Sequence, residues 1–177
     1  THCISSAASD VYKRQVISTD NERLLPDFSS VDQMNHAILQ VPLPEDTLWL
    51  ECTNPQLPFG YVHSGIAGHD ALLITKEGGI MCRLPSYPDS LNTQTTSASV
   101  TLTPTGGAKI KASGISRLFQ YESMAGIPRL EPSHRKDYLR SGINLIQANI
   151  NNIQINEAKE VIPMIDIQYT IETEQYG

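Results

Sequence analysis

The residues best suited to chemistry in this chain are His36 and Glu51, which stand on either side of the turn-forming run Pro42-Leu43-Pro44-Glu45-Asp46. An imidazole beside a carboxylate is a general base with its orienter. The carboxylate accepts from one ring nitrogen, fixes the tautomer and supports the imidazolium, leaving the other nitrogen to take a proton from a nucleophile. The same two residue types facing each other across strands also make an ordinary surface ion pair.

The elements that must position the pair read as a hairpin. Asn35-His36-Ala37-Ile38-Leu39-Gln40-Val41 and Thr47-Leu48-Trp49-Leu50-Glu51-Cys52-Thr53 alternate on the two sides of the turn. A turn centred between Leu43 and Pro44 places Ile38 opposite Trp49 and His36 opposite Glu51, with the Cβ atoms of such a pair roughly 5 Å apart. In that register Ala37, Leu39 and Val41 join Leu48 and Leu50 on an apolar face that would pack on a core. His36, Gln40, Thr47, Trp49 and Glu51 share the other face.

The run Asn35-His36-Ala37, followed by Leu48-Trp49-Leu50-Glu51-Cys52-Thr53, resembles the second half of the transglutaminase-like, papain-like core of the cysteine protease superfamily. In that family a catalytic His opens one strand and an acidic residue lies in a Trp-x-Asp-x-Thr-like motif on the next. The stretch from Leu25-Pro26-Asp27-Phe28 through Leu57-Pro58-Phe59-Gly60-Tyr61 to Leu72-Leu73-Ile74-Thr75-Lys76-Glu77-Gly78-Gly79 is similar, more narrowly, to bacterial envelope proteins in which such a domain is flanked by domains of unknown function. The resemblance implies that His36 is the catalytic His and Glu51 the acidic third member, with Glu replacing the usual Asp. It also implies a periplasmic or extracellular setting and a peptide, protein or glycan substrate.

Ser5 to Gln15 resembles the in-frame translation of a sequencing adaptor. Residues 1–15 are therefore read as an assembly artefact on a metagenomic fragment, with a natural disordered arm as the competing reading. In the family the nucleophilic Cys opens a helix upstream of the His strand, where the helix N-terminus lowers its pKa. The context of Cys3 does not resemble that helix. Cys52 is next to Glu51 and so points to the opposite face, and Cys82 reads as a small buried hydrophobe. The expectation is a chain with the His and acid half of a Cys-His-acid enzyme, inactive alone and missing the N-terminal half of the same protein.

A chain of 177 residues holds one domain or two small ones. A net charge of −6, with no basic stripe, argues against nucleic-acid binding. No apolar run approaches the roughly 20 residues that span a bilayer, so no transmembrane segment is expected. Three cysteines at irregular positions form neither a disulfide framework nor a zinc site. His63, His69 and Asp70 are tempting ligands, yet no converging set is apparent in the spacing, and no metal or cofactor is expected. Gly65-Ile66-Ala67-Gly68 reads as a flexible loop.

Elsewhere the pattern is strand-rich. Leu25 and Phe28 belong to a loop that either shapes a cleft or anchors on the core. Hairpins are expected at Leu72–Leu84, reversing at Lys76-Glu77-Gly78-Gly79, and at Thr96–Ile115, with Val100, Leu102, Ile110 and Ala112 on one face. Pro132–Arg140 reads as a helix capped by Ser133 and stopped at Gly142. The remainder alternates through Ile150, Ile153 and Ile155 and again from Ile165 to Ile171. The expected fold is α+β and β-rich: C-terminal strands of a transglutaminase-like core over 16–61, then an antiparallel β-rich domain with one short helix over 62–177. Two functions fit, a thiol acyltransferase, amidase or peptidase acting through a thioester in the parent protein, or a non-catalytic peptide- or glycan-binding envelope module.

Overall fold

A computed structural model of the chain describes residues 12–16, 24–28, 30 and 33–176. The chain divides between Asp89 and Ser90 into two units, each with its own antiparallel sheet. The expected boundary at 61/62 is thus too early. The strands that follow Tyr61 complete the first sheet instead of opening a second domain.

In the first unit the strands are β1 (Tyr12–Val16), β2 (His36–Pro42), β3 (Thr47–Leu50), β4 (Asp70–Thr75) and β5 (Gly78–Arg83), in the order β3-β2-β1-β4-β5. Two local hairpins therefore flank a central strand that comes from far away in sequence. The β2–β3 turn closes through the Leu43 N–H on the Asp46 carbonyl, while the Asp46 side chain accepts the Thr47 N–H. In the β4–β5 turn the Thr75 hydroxyl accepts the Glu77 N–H and donates to the Gly78 carbonyl. Gly78 has φ +134°, which a side chain would resist. β1 takes up all of Tyr12–Gln15, the end of the Ser5–Gln15 stretch expected to form no element; residues 1–11 lie outside the described residues.

The β2–β3 register is offset by two from the expected one, pairing Gln40 with Trp49 and Leu39 with Leu50. Strand faces repeat every two residues, so an offset of two leaves each residue on its expected side. The buried side, however, is the reverse of the expectation. Ile38, on the His36 face, is 1% exposed and packs with Val62, Ile66, Ala71, Leu84 and Trp49, whereas Ala37 on the other face is exposed. The core forms there because the loop after β3 brings Val62 and Ile66 to that face. On the other face Leu72, Ile74 and Met81 line a cleft of about 350 Å³ with Leu25 and Phe28 of the preceding loop.

The second unit has strands β6 (Gln94–Leu102), β7 (Ala108–Arg117), β8 (Asn149–Ala158) and β9 (Met164–Thr173), in the order β6-β7-β9-β8. The β6–β7 hairpin pairs Val100 with Ile110 and Ala98 with Ala112, as the alternation predicts. Ile110, Ile150 and Ile171 are buried with Ala108 and Ala148. Ile150 and Ile153 are an odd number of residues apart, which would put them on opposite faces of a regular strand. A bulge between Asn151 and Gln154, with Asn152 at φ +53°, absorbs the extra residue and restores the phase.

Two short helices join β7 to β8: α1 (Phe119–Glu122) and α2 (Pro132–Ser141). The second starts with Glu131 at the N-cap position and Pro132 at its first turn, so Ser133 lies inside it and is not the cap. Gly142 follows its last residue, as expected. The chain is α+β and β-rich. Among the described residues no helix is long and apolar enough to cross a membrane.

Candidate functional site

β2 begins at His36, and Glu51 stands one residue past the end of β3. Continuing the observed register places Ile38 opposite Glu51, so His36 is its diagonal neighbour on the same face. Diagonal positions are separated by more than directly opposed ones, and long side chains bridge them. The Glu51 side chain does so: its Oε2 accepts from His36 Nε2 at 2.6 Å. This geometry gives a reason for Glu where the resembled motif has Asp.

Glu51 is bound by more than its expected partner. Oε1 accepts both the backbone N–H of Thr53, at 2.7 Å, and the Thr53 hydroxyl, at 2.6 Å. Oε2 is also 3.5 Å from His63 Nε2. A carboxylate offers about four lone-pair directions; three are filled here by hydrogen bonds, and His63 approaches the fourth. The Glu51 side chain is only 2% exposed, against 15% for His36 and 21% for His63. Burial pushes the Glu51 carboxyl up, but hydrogen bonds from His36, His63 and Thr53 outweigh it and hold the group well below the usual carboxylate range. Glu51 is therefore a fixed negative charge, and His36 Nδ1 is the ring nitrogen left for chemistry.

His63 was one candidate among three in its segment, and only it converges on the pair; Asp70 instead lies 3.5 Å from Arg83. Its loop is firmly seated. Val62 and Ile66 are buried, the Val62 N–H donates to the Tyr87 hydroxyl, and the Gly68 N–H donates to the Pro85 carbonyl. Tyr87 stacks on the buried Tyr61 with ring centres 5.8 Å apart. The expected flexible loop at Gly65–Gly68 is thus an anchored turn, in which the His63 carbonyl accepts the N–H groups of Ile66 and Ala67. The rings of His36 and His63 meet edge to face, 5.7 Å between centres.

No family model, curated protein or solved structure matches this chain. Its chemistry therefore has to be read from the site.

His36, Glu51 and His63 place one ligand atom each within 4.8 Å of one another, the converging set that spacing alone did not reveal. A histidine that binds a metal through Nε2 ordinarily donates its Nδ1–H to an acceptor. At His63 the polarity is reversed, because Nδ1 accepts the Gly65 N–H at 3.1 Å. The proton therefore sits on Nε2, facing Glu51. This donor set suits a hydrogen-bonded carboxylate better than a metal.

The cysteines lie elsewhere. Cys52 is exposed and turns its thiol toward the Leu50 carbonyl, consistent with its opposite parity to Glu51. Cys82 is half-buried beside the Ile38 cluster and donates to the Ala71 carbonyl. Cys3 lies outside the described residues. Leu25 and Phe28 line the cleft on the other face of the sheet and do not shape the surroundings of His36. The signals missed by sequence reasoning were Thr53, two residues after Glu51, and His63, whose approach depends on the path of its loop.

Proposed function

We propose that this chain carries the His-acid half of a transglutaminase-like acyl-transfer site. The carrying observation is the 2.6 Å contact between His36 Nε2 and a buried Glu51. In the proposed reaction His36 Nδ1 takes the proton of a cysteine thiol contributed by a longer parent protein. The thiolate adds to an amide carbonyl, and the tetrahedral intermediate expels the amine, which leaves with the proton held by His36. Water or a second amine then attacks the thioester, with His36 again removing the proton, and the thiol is regenerated. Glu51 keeps its charge throughout and holds the ring. An extracytoplasmic peptide, protein or glycan would be the substrate.

The test is alkylation of the longer protein with iodoacetamide at neutral pH. One activated Cys should react, and His36→Ala should slow its labelling about a hundredfold, the lower range for loss of a general base. Cys52 of the present chain should label at the same rate with or without His36. A longer protein in which no Cys responds to His36→Ala would favour the binding-module reading, in which the same surface holds a peptide or glycan without turnover.

A further inference from the structure

We infer that His63 is a positioning residue, a neutral imidazole locked as the Nε2–H tautomer that holds the Glu51 carboxylate against His36. The inference deepens the acyl-transfer reading and rests on it only for its bearing on catalysis.

Three observations carry it. The Gly65 N–H occupies His63 Nδ1, which leaves Nε2 as the protonated nitrogen, and Nε2 is the atom turned toward Glu51 Oε2. The backbone on both sides of His63 is fixed by buried contacts, with Val62 1% and Ile66 0% exposed, so the ring is delivered by a rigid loop. Its edge-to-face contact with His36 restricts the second ring as well.

The function of this arrangement follows from the needs of Glu51. A buried carboxylate with an unfilled lone pair would draw in water or shift its hydrogen bond away from His36. Thr53 fills Oε1 through a local contact that any rotation of the side chain would break. His63 approaches the remaining direction on Oε2, at 3.5 Å, from a separate segment of chain. Together they leave the carboxylate one orientation, the one that faces His36.

The test uses the full chain labelled with ¹⁵N in its histidine rings. The ring shifts should show His63 with its proton on Nε2 and Nδ1 as acceptor; a proton on Nδ1 would overturn the inference. His63→Phe should speed solvent exchange of the His36 Nε2–H roughly tenfold, the effect of losing a hydrogen bond to a charged group. His63→Gln, which restores an N–H donor, should recover most of that loss, and equal behaviour of the two variants would refute a positioning role. Added zinc should show no one-to-one binding. Stoichiometric zinc binding abolished separately by His36→Phe, Glu51→Gln and His63→Phe would make His63 a ligand instead. If the tautomer and the rescue hold while the longer protein shows no His36-dependent labelling, the acyl-transfer reading fails and the positioning role stands.

Discussion

Each unit of this protein withdraws a carboxylate from solvent, and the two choose opposite kinds of partner. In the first unit Glu51 is held by two imidazoles and a threonine. In the second, Glu157 accepts from the Tyr121 hydroxyl at 2.5 Å and lies 3.5 Å from Arg129. Burial, followed by the hydrogen bond and charge of Glu157, pushes the Tyr121 phenol upward, so it keeps its proton at neutral pH. A guanidinium cannot give up its proton in a protein either. The Glu157 cluster ties β8 to the α1 region. Only the Glu51 cluster includes a group whose ordinary titration range spans neutral pH, and that difference separates a candidate site from a structural tie.

The sheets differ as well. The second unit is built from two hairpins whose inner strands, β7 and β9, pair directly. In the first unit the two hairpins are linked through β1, which pairs with both β2 and β4. Removing residues 1–16 should therefore have the largest effect. The first unit should lose slow amide exchange throughout β2–β5, while β6–β9 retain theirs, as hydrogen exchange with fragment analysis would show. Unchanged protection in β2–β5 would mean that β1 is dispensable, as the adaptor resemblance of Ser5–Gln15 implies.

Next in size is His36→Phe, which takes one partner from a buried charge and should cost about 3 kcal/mol by urea denaturation of the first unit. Acid sharpens the same contrast. Glu51 has its carboxyl depressed on folding, so its contribution is fully present above the ordinary carboxylate pKa and is lost as pH falls through the folded value. Stability of the first unit should fall on acidification below about pH 4.3, and Glu51→Gln should flatten that dependence. The smallest change is Tyr121→Phe. It leaves Glu157 with Arg129 and should lower stability by about 1.5 kcal/mol in thermal unfolding, with no effect on the acid dependence set by Glu51.

How much of this was legible depended on how local the determining contacts are. Val100 and Ile110 meet across a short turn, so alternation alone placed them. His36 and Glu51 were also put on one face correctly, because an error of two in register preserves parity. Which face is buried was misread. Ala37-Leu39-Val41 looks like a core stripe, but the choice was made by Val62 and Ile66, supplied by a loop whose course no strand pattern encodes. β1 was missed for a related reason. Tyr12-Lys13-Arg14-Gln15 has no apolar alternation, and its place is set by backbone pairing with β2 and β4. The Glu51–Thr53 contact was within reach, since a Thr two residues after an acid is a local bonding pattern. The approach of His63 was not.

The irregularity in β8 has a consequence for how the second sheet tolerates change in length. Asn152 is a spare position: the residues before and after it already point the right way because it stands out of line. Excising it would leave Ile150 and Ile153 two apart and still facing inward. Loss of Gln154 instead would also let the ladder close without the bulge and keep the later side chains in phase, but it would turn Ile153 outward. Evolution or an engineer could shorten this ribbon by one residue, and the bulge marks where.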